Sequence, residues 1–355
     1  MELHQIKLFR WGITMRRMYL FGVVIMLLLG VCACNRNENN RWYNEFGENE
    51  WALYNYGQEI NGSPGVACVD INVLGVRELI GNPSKVVVGL VDTGVEFTSE
   101  NINNILWKNQ DEIADNGIDD DKNGYIDDVY GWDFYNRDAS MYDDYLYDYH
   151  GTYIANMLGK IVPNVEIVSS KFMKGTQGDA TDAIEAIKYA IQNGAEIVNC
   201  SWCFEKEEEQ LYKIISENPD VLFVCAAGNS NLNLDEVQVY PASYALDNLI
   251  SVMAIGNTGE KYERSGYGLN VDIASPGKDI EVVLPEGDVT YVSGTSIATV
   301  FVSSAAALLK SYNQELTPYE IKSILIESAH RTQALKGMCK AGGFLNVQTA
   351  ISNCK

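Results

Sequence analysis

From Lys85 onward the chain alternates short, mostly apolar runs with longer stretches whose apolar residues recur every three or four positions. Lys85–Val91, Val165–Ser170, Glu196–Ser201, Val221–Ala226, Leu249–Ile255, Val271–Ala274 and Asp288–Val292 have the length of strands. In Lys85–Val91 the apolarity is continuous rather than alternating, which marks a strand buried on both faces, as in a parallel sheet. Between them, Tyr153–Lys160, Ala180–Gln192 and Glu207–Glu217 read as helices. In the second of these Ile184, Ile187 and Ile191 share one face, Thr181 is the expected cap and Asn193-Gly194 the stop. Such repeated β-α alternation predicts an α/β fold, a doubly wound, mostly parallel sheet with helices on both faces, in a single domain without internal repeats. Thr317-Pro318-Tyr319-Glu320 is a capping box with proline at the first helical position, and its helix turns Ile321, Ile324 and Leu325 inward. Residues 50–85, with a short amphipathic piece at Leu74–Ile80, read as an arm wrapped around that core.

The stretch Ser293-Gly294-Thr295-Ser296-Ile297-Ala298 runs into an Ala/Leu-rich segment ending at Lys310. A glycine there lets the backbone turn sharply, and the Ala/Leu-rich segment has the composition of a buried helix. Ser296 then sits at the helix's amino end, among free N–H groups and the positive end of the dipole. Alone, the motif says no more than a capped helix, since Ser and Thr are the commonest caps. Partners elsewhere give it chemistry. Asp92 ends the first apolar run and is followed by Thr93-Gly94, at the carboxyl end of a strand where open α/β sheets carry their sites. His150 stands in Tyr149-His150-Gly151-Thr152; His4 lies in the amino-terminal leader and His330 late in the chain. Asn229 follows Ala226-Ala227-Gly228 just past another strand. An imidazole can take the proton of a serine hydroxyl near neutral pH, a carboxylate can hold that imidazole, and an amide can donate to an oxyanion.

With 355 residues, 46% of them hydrophobic, the chain can bury a large core. A formal net charge of −22 argues against nucleic-acid binding, which needs a basic footprint. Much of that charge is local: residues 111–150 hold thirteen Asp and Glu against Lys122 and Arg137. Within them Asp119-Asp120-Asp121-Lys122-Asn123-Gly124-Tyr125-Ile126-Asp127 fits a calcium loop, D-x-[DN]-x-[DN]-G. The ligands expected for a structural Ca²⁺ are Asp119, Asp121, Asn123, the carbonyl of Tyr125, and Asp127. Tyr130 stands where an EF-hand has its bidentate glutamate, so a helix-loop-helix sensor is not expected.

Arg16-Arg17 precede the apolar run Met18–Val31, too short for a membrane span and typical of a signal-peptide core. Val31-Cys32-Ala33-Cys34 resembles a bacterial lipobox, which predicts a lipoprotein-type signal over residues 1–33, lipid on Cys34, and a tether over residues 34–50. Plain secretion with cleavage near Ala33 is the alternative. Either way the chain is exported, to the cell envelope if lipidated. Six cysteines follow: Cys68, Cys200, Cys203, Cys225, Cys339 and Cys354. Spacing cannot choose among their pairings; Cys339 with Cys354 is the bridge expected, and Cys200-x-x-Cys203 reads as core or strand-edge thiols rather than a zinc or redox site.

Val91-Asp92-Thr93-Gly94, His150-Gly151-Thr152, Ala226-Ala227-Gly228-Asn229 and Gly294-Thr295-Ser296-Ile297-Ala298, in this order, resemble the subtilisin-like serine peptidases, the subtilases. The resemblance runs from about Trp51 to the carboxyl terminus. It implies a peptidase domain over residues 51–355 and an endopeptidase with Asp92, His150 and Ser296 as catalytic triad and Asn229 as oxyanion donor. It further implies an acyl-enzyme, calcium-supported loops, and protein or peptide substrates lying along Ser201, Trp202, Cys203, Ala226, Ala227 and Gly228. Four departures stand out: Cys203 where the family has glycine, Val300 in place of a proline, and Tyr153 and Asn156 for the usual His and Gly. Between Cys34 and Trp51 there is no room for a folding propeptide. A catalytically silent scaffold that binds peptides in the same cleft is the competing expectation.

Overall fold

The computed structural model describes residues 46–354. The predicted signal run, Cys34 and residues 34–45 of the predicted tether lie outside them. In chain order the elements are β1 (Glu59–Ile60), β2 (Ser63–Pro64), α1 (Val76–Ile80), β3 (Val86–Asp92), α2 (Glu100–Asn103) and β4 (Gly131–Asp133). Next come α3 (Tyr149–Ile161), β5 (Val165–Lys171), β6 (Met173–Lys174), β7 (Gln177–Gly178), α4 (Ala180–Gln192), β8 (Ile197–Cys200), α5 (Glu209–Ser216) and β9 (Leu222–Ala226). The last part holds β10 (Leu249–Ile255), β11 (Ile273–Pro276), β12 (Ile280–Val283), β13 (Val289–Val292), α6 (Thr295–Tyr312), α7 (Pro318–Glu327), β14 (His330–Arg331), β15 (Gly343–Phe344) and α8 (Val347–Asn353).

Among the described residues one nine-stranded sheet runs in the order β14-β15-β11-β10-β9-β8-β3-β5-β4. Every neighbouring pair is parallel except β14-β15. Both β9 and β10 are buried along their whole length, which requires cover on both faces. On one side α4 closes on β3 and β5; Gly89 permits this, because a Cβ there would come within 2.7 Å of Ala190 Cβ. The long helix α6, buried at fifteen of its eighteen positions, packs across β8 to β11. The expected doubly wound sheet is therefore the one that forms.

Several local expectations change. Asp179, not Thr181, caps α4, its carboxylate accepting the N–H of Asp182 at 3.0 Å. The capping box of α7 forms as expected, with Ile321 and Leu325 buried but Ile324 only partly so. The segment before Ser293 forms the expected strand but not in the nine-stranded sheet: β13 pairs antiparallel with β12 in a separate two-stranded sheet. Cys339 and Cys354 are free thiols, and so are Cys200, Cys203 and Cys225. The expected bridge is not made; Cys339 Sγ instead hydrogen-bonds the carbonyl of Gly343 at 3.5 Å.

Candidate active site

Parallel strands bring their carboxyl ends to one edge of the sheet, and β3, β8 and β9 are adjacent there. Asp92 closes β3, Ser201 follows β8, and Asn229 lies three residues beyond β9. His150 occupies the first turn of α3, which begins four residues earlier than the apolar pattern indicates. Ser296 occupies the first turn of α6.

The two short motifs around Asp92 and His150 are pressed backbone to backbone. A Cβ on Gly151 would meet the carbonyl of Gly94 at 2.2 Å, and one on Gly94 the carbonyl of Met141 at 2.1 Å. Gly94 also has a φ of +90°, which favours glycine. Thr93 locks the two loops: its hydroxyl donates to the Asp148 carbonyl and accepts the N–H of Gly151, each at 2.9 Å. Asp92 is fully buried, and its Oδ1 lies 2.7 Å from His150 Nδ1 while accepting the Thr93 N–H at 2.7 Å. Tyr153, one turn along α3, sets its ring edgewise against the imidazole with centroids 5.0 Å apart. Burial, with the Asp92 charge adding to it, holds the Tyr153 phenol well above its usual range.

Behind this pair lies a buried cation. Lys171 ends β5 in register with Asp92 and is fully enclosed. Its Nζ lies 3.0 Å from Asp133 Oδ2 and 3.1 Å from Asp148 Oδ2, and it also pairs with Asp143. Burial works against the ammonium, but the hydrogen bond to Asp143 and the charges of Asp133 and Asp148 raise its pKa to about 12. Burial pushes Asp133 up to about 6 despite Lys171. This cluster ties β4, β5 and the residue preceding α3 together.

At Gly294 the backbone is extended, not sharply turned. A Cβ there would crowd Asn229, approaching its Nδ2 to 3.2 Å. Asn229 Oδ1 accepts the N–H of Thr295 at 2.8 Å and its hydroxyl at 3.2 Å, so the NH₂ end of the amide is left to donate. The Ser296 hydroxyl donates to the Ser201 carbonyl at 2.8 Å rather than to His150.

Of the residues expected to line the cleft, Trp202 turns its indole into the body of the protein, donating to the Val91 carbonyl at 2.8 Å. Ala226 and Ala227 are buried. Cys203 is exposed, and its Sγ lies beside Gly228, 3.4 Å from where a Cβ there would stand.

Among the expected metal ligands, Asp119 and Asp121 converge with Glu112, their carboxylate oxygens within 4.8 Å of one another. Glu112 lies outside the loop motif, seven residues before Asp119, and no spacing rule points to it. It is fixed from behind by the N–H groups of Asp120, Asp121 and Asp127. Asp127 turns away to accept the N–H groups of Asn116 and Gly117, both at 3.0 Å. Asn123 hydrogen-bonds Asp121 and Asp128, and Tyr125 packs its ring against Trp132, Phe134 and Tyr189. These three carboxylates form an acidic cluster with no lysine or arginine ion-paired to them among the described residues, and supply three of the roughly six to eight oxygen ligands that a Ca²⁺ takes.

The profile of the subtilase family matches residues 83–346, and the chain belongs to that family. Subtilisin-like protease 1 of Plasmodium vivax is 25% identical over 297 residues, covering 74% of this chain and 46% of that protein. The cell wall-associated protease of Bacillus subtilis is 30% identical over 283 residues, covering 79% of this chain and 29% of that one. The chain thus spans less than half the length of these relatives. Among solved structures, a subtilase cytotoxin SubAB assembly aligns with a TM-score of 0.65 at 24% identity, over 80% of this chain and 94% of its own. A cold-adapted subtilisin-like serine proteinase aligns at 0.59 with 22% identity, over 83% and 96%. At these identities the structural likeness speaks for the fold.

Proposed function

We propose that the protein is an exported serine endopeptidase using Asp92, His150 and Ser296, with Asn229 as oxyanion donor. The observation that supports this most is the 2.7 Å contact of Asp92 with His150 Nδ1 on a subtilase fold that also places Ser296 at the start of α6. With Nδ1 holding its hydrogen toward Asp92, Nε2 is the basic nitrogen. Ser296 Oγ attacks the scissile carbonyl carbon as its proton passes to Nε2. The resulting oxyanion takes hydrogen bonds from Asn229 Nδ2 and the amino end of α6. Collapse breaks the C–N bond, the proton moves from His150 to the leaving amine, and water then hydrolyses the acyl-enzyme by the same path. The chain leaving β8 at Ser201–Cys203 offers an edge for an extended substrate. Export, and attachment to a membrane through lipid on Cys34, rest on the lipobox-like leader.

Reaction of the purified protein with a fluorophosphonate tests this directly. The expected result is one adduct per chain, located by mass spectrometry on the peptide carrying Ser296; no adduct on folded protein rejects the peptidase. The second reading, a silent peptide-binding scaffold, is favoured by the Ser296 hydroxyl lying on the Ser201 carbonyl instead of His150. A failed labelling with retained peptide binding selects it.

A structural Ca²⁺ at Glu112, Asp119 and Asp121 would relieve the repulsion among these carboxylates. At a free concentration a hundred times its dissociation constant it would add about 2.7 kcal/mol to stability. Excess chelator is therefore expected to lower the melting temperature by several degrees, and calcium to restore it. An unchanged melt removes calcium from the reading.

A further inference from the structure

A row of polar side chains buried behind Ser296 plays no part in the triad. Ser303 lies two turns along α6 on the same face as Ser296. Its hydroxyl donates to Asn199 Oδ1 at 2.8 Å; Asn199 Nδ2 donates to Ser201 Oγ at 2.9 Å; and Ser201 Oγ donates to the main-chain carbonyl of Ser296 at 2.9 Å. Ser303 and Asn199 are fully buried and Ser201 is 3% exposed. All three bonds run in one donor direction, so each polarises the next. Neighbouring hydroxyls behave differently: Thr299 and Ser304 donate back to the carbonyls of Thr295 and Val300 on their own helix. Ser303 alone of these leaves the helix, to meet an amide in the middle of the otherwise apolar strand β8. Burying an asparagine among Ile197, Val198 and Cys200 is costly unless its hydrogen bonds are made, and here they are made toward the nucleophile.

We propose that Ser303, Asn199 and Ser201 are positioning residues that hold the backbone of Ser296 and set the choice between two orientations of its hydroxyl. Ser201 grips Ser296 twice, through its own hydroxyl on the Ser296 carbonyl and through its carbonyl under the Ser296 hydroxyl. To reach His150, Ser296 Oγ must swing off the Ser201 carbonyl while its backbone stays fixed. The relay from Ser303 supplies that fixed point, so that the swing is a side-chain rotation and not a shift of the helix end. Substrate entering along Ser201–Cys203 competes for the Ser201 carbonyl and so favours the attacking orientation.

The inference rests on the serine peptidase reading, and the test separates the two. Ser303→Ala, Ser201→Ala and the double variant are compared with the parent for fluorophosphonate labelling rate, for kcat and KM on one peptide substrate, and for thermal unfolding. Each single variant is expected to label and turn over about tenfold more slowly with KM within about twofold, short of the ~10²-fold cost of a 1 Å misplacement. Because the residues act in series, the double variant is expected to match the slower single rather than multiply the two losses. Ser201→Thr, which keeps the hydroxyl, is expected to recover most of the rate. Variants that label as fast as the parent, or losses that track melting temperature alone, overturn the relay. If Ser303→Ala does not fold, the pair Ser201→Ala and Ser201→Thr decides by itself. A parent that does not label overturns the peptidase reading, and the relay with it.

Discussion

Asp92→Asn is expected to reduce kcat by roughly 10⁴-fold with little change in KM, the size of loss seen when the imidazole of such a triad is misheld. The surroundings of Asp92 leave an amide no good orientation. Oδ1 takes both the Thr93 N–H and His150 Nδ1, while Oδ2 is buried with no hydrogen-bond partner. With its oxygen in the first position, the asparagine keeps both contacts but buries an unpaired NH₂ and loses the charge that stabilises the imidazolium. With its NH₂ in the first position, it faces the Thr93 N–H and drives the hydrogen of His150 onto Nε2, where it blocks proton uptake from Ser296. The first orientation weakens the base and the second removes it, while the substrate cleft is untouched. Steady-state kinetics on a folded variant check this; a loss smaller than tenfold would show that Asp92 does not hold the base.

Lys171→Met is expected to destabilise the fold by about 3–5 kcal/mol at neutral pH, the cost of leaving buried charge without its partner. Asp133 and Asp148 are fully buried, and methionine supplies volume but no charge. The penalty should depend on pH with a definite sign. Burial already pushes Asp133 up to about 6, and removing the ammonium raises it further. A carboxyl whose folded pKa lies above its unfolded value of about 3.9 is tolerated when protonated and loses stability as pH rises through the folded pKa. The variant should therefore lie closer to the parent at pH 5 than at pH 8 in paired urea melts. A difference below about 1 kcal/mol that is the same at both pH values would falsify the buried-cage account.

The strands and the four motifs are legible in the sequence because they obey local rules. A run such as Leu249–Ile255, apolar but for Ser251, reads as a doubly covered strand, and the strand occupies those seven residues. The features that stay hidden depend on distant chain. Gly131–Asp133 carries no apolar run, yet it joins the sheet edge by pairing with β5, where Asp133 also meets Lys171. Glu112 enters the acidic cluster because the loop folds back onto it, which spacing within the motif does not encode. Trp202 reads as a cleft residue from its place beside Ser201, but the Val91 carbonyl draws its indole inward. Thr181 and Asp179 are both good caps, and the chain's approach to α4 decides between them. The relay from Ser303 is equally invisible, since a serine in an Ala-rich helix reads as a small core residue until its neighbour across the sheet is known.

The strand order carries a consequence for how the molecule is made. The groups of the site meet only through contacts of long sequence separation: His150 with Asp92 across 58 positions, Ser201 with Ser296 across 95, Trp202 with Val91 across 111. Closing such loops is slow, and a parallel sheet cannot shorten them. As the ribosome releases the chain amino end first, β3, β5 and β8 can associate while Ser296 is still unsynthesised. The proposed hydrolytic competence can therefore arise only late in biogenesis, after most of the sheet is in place.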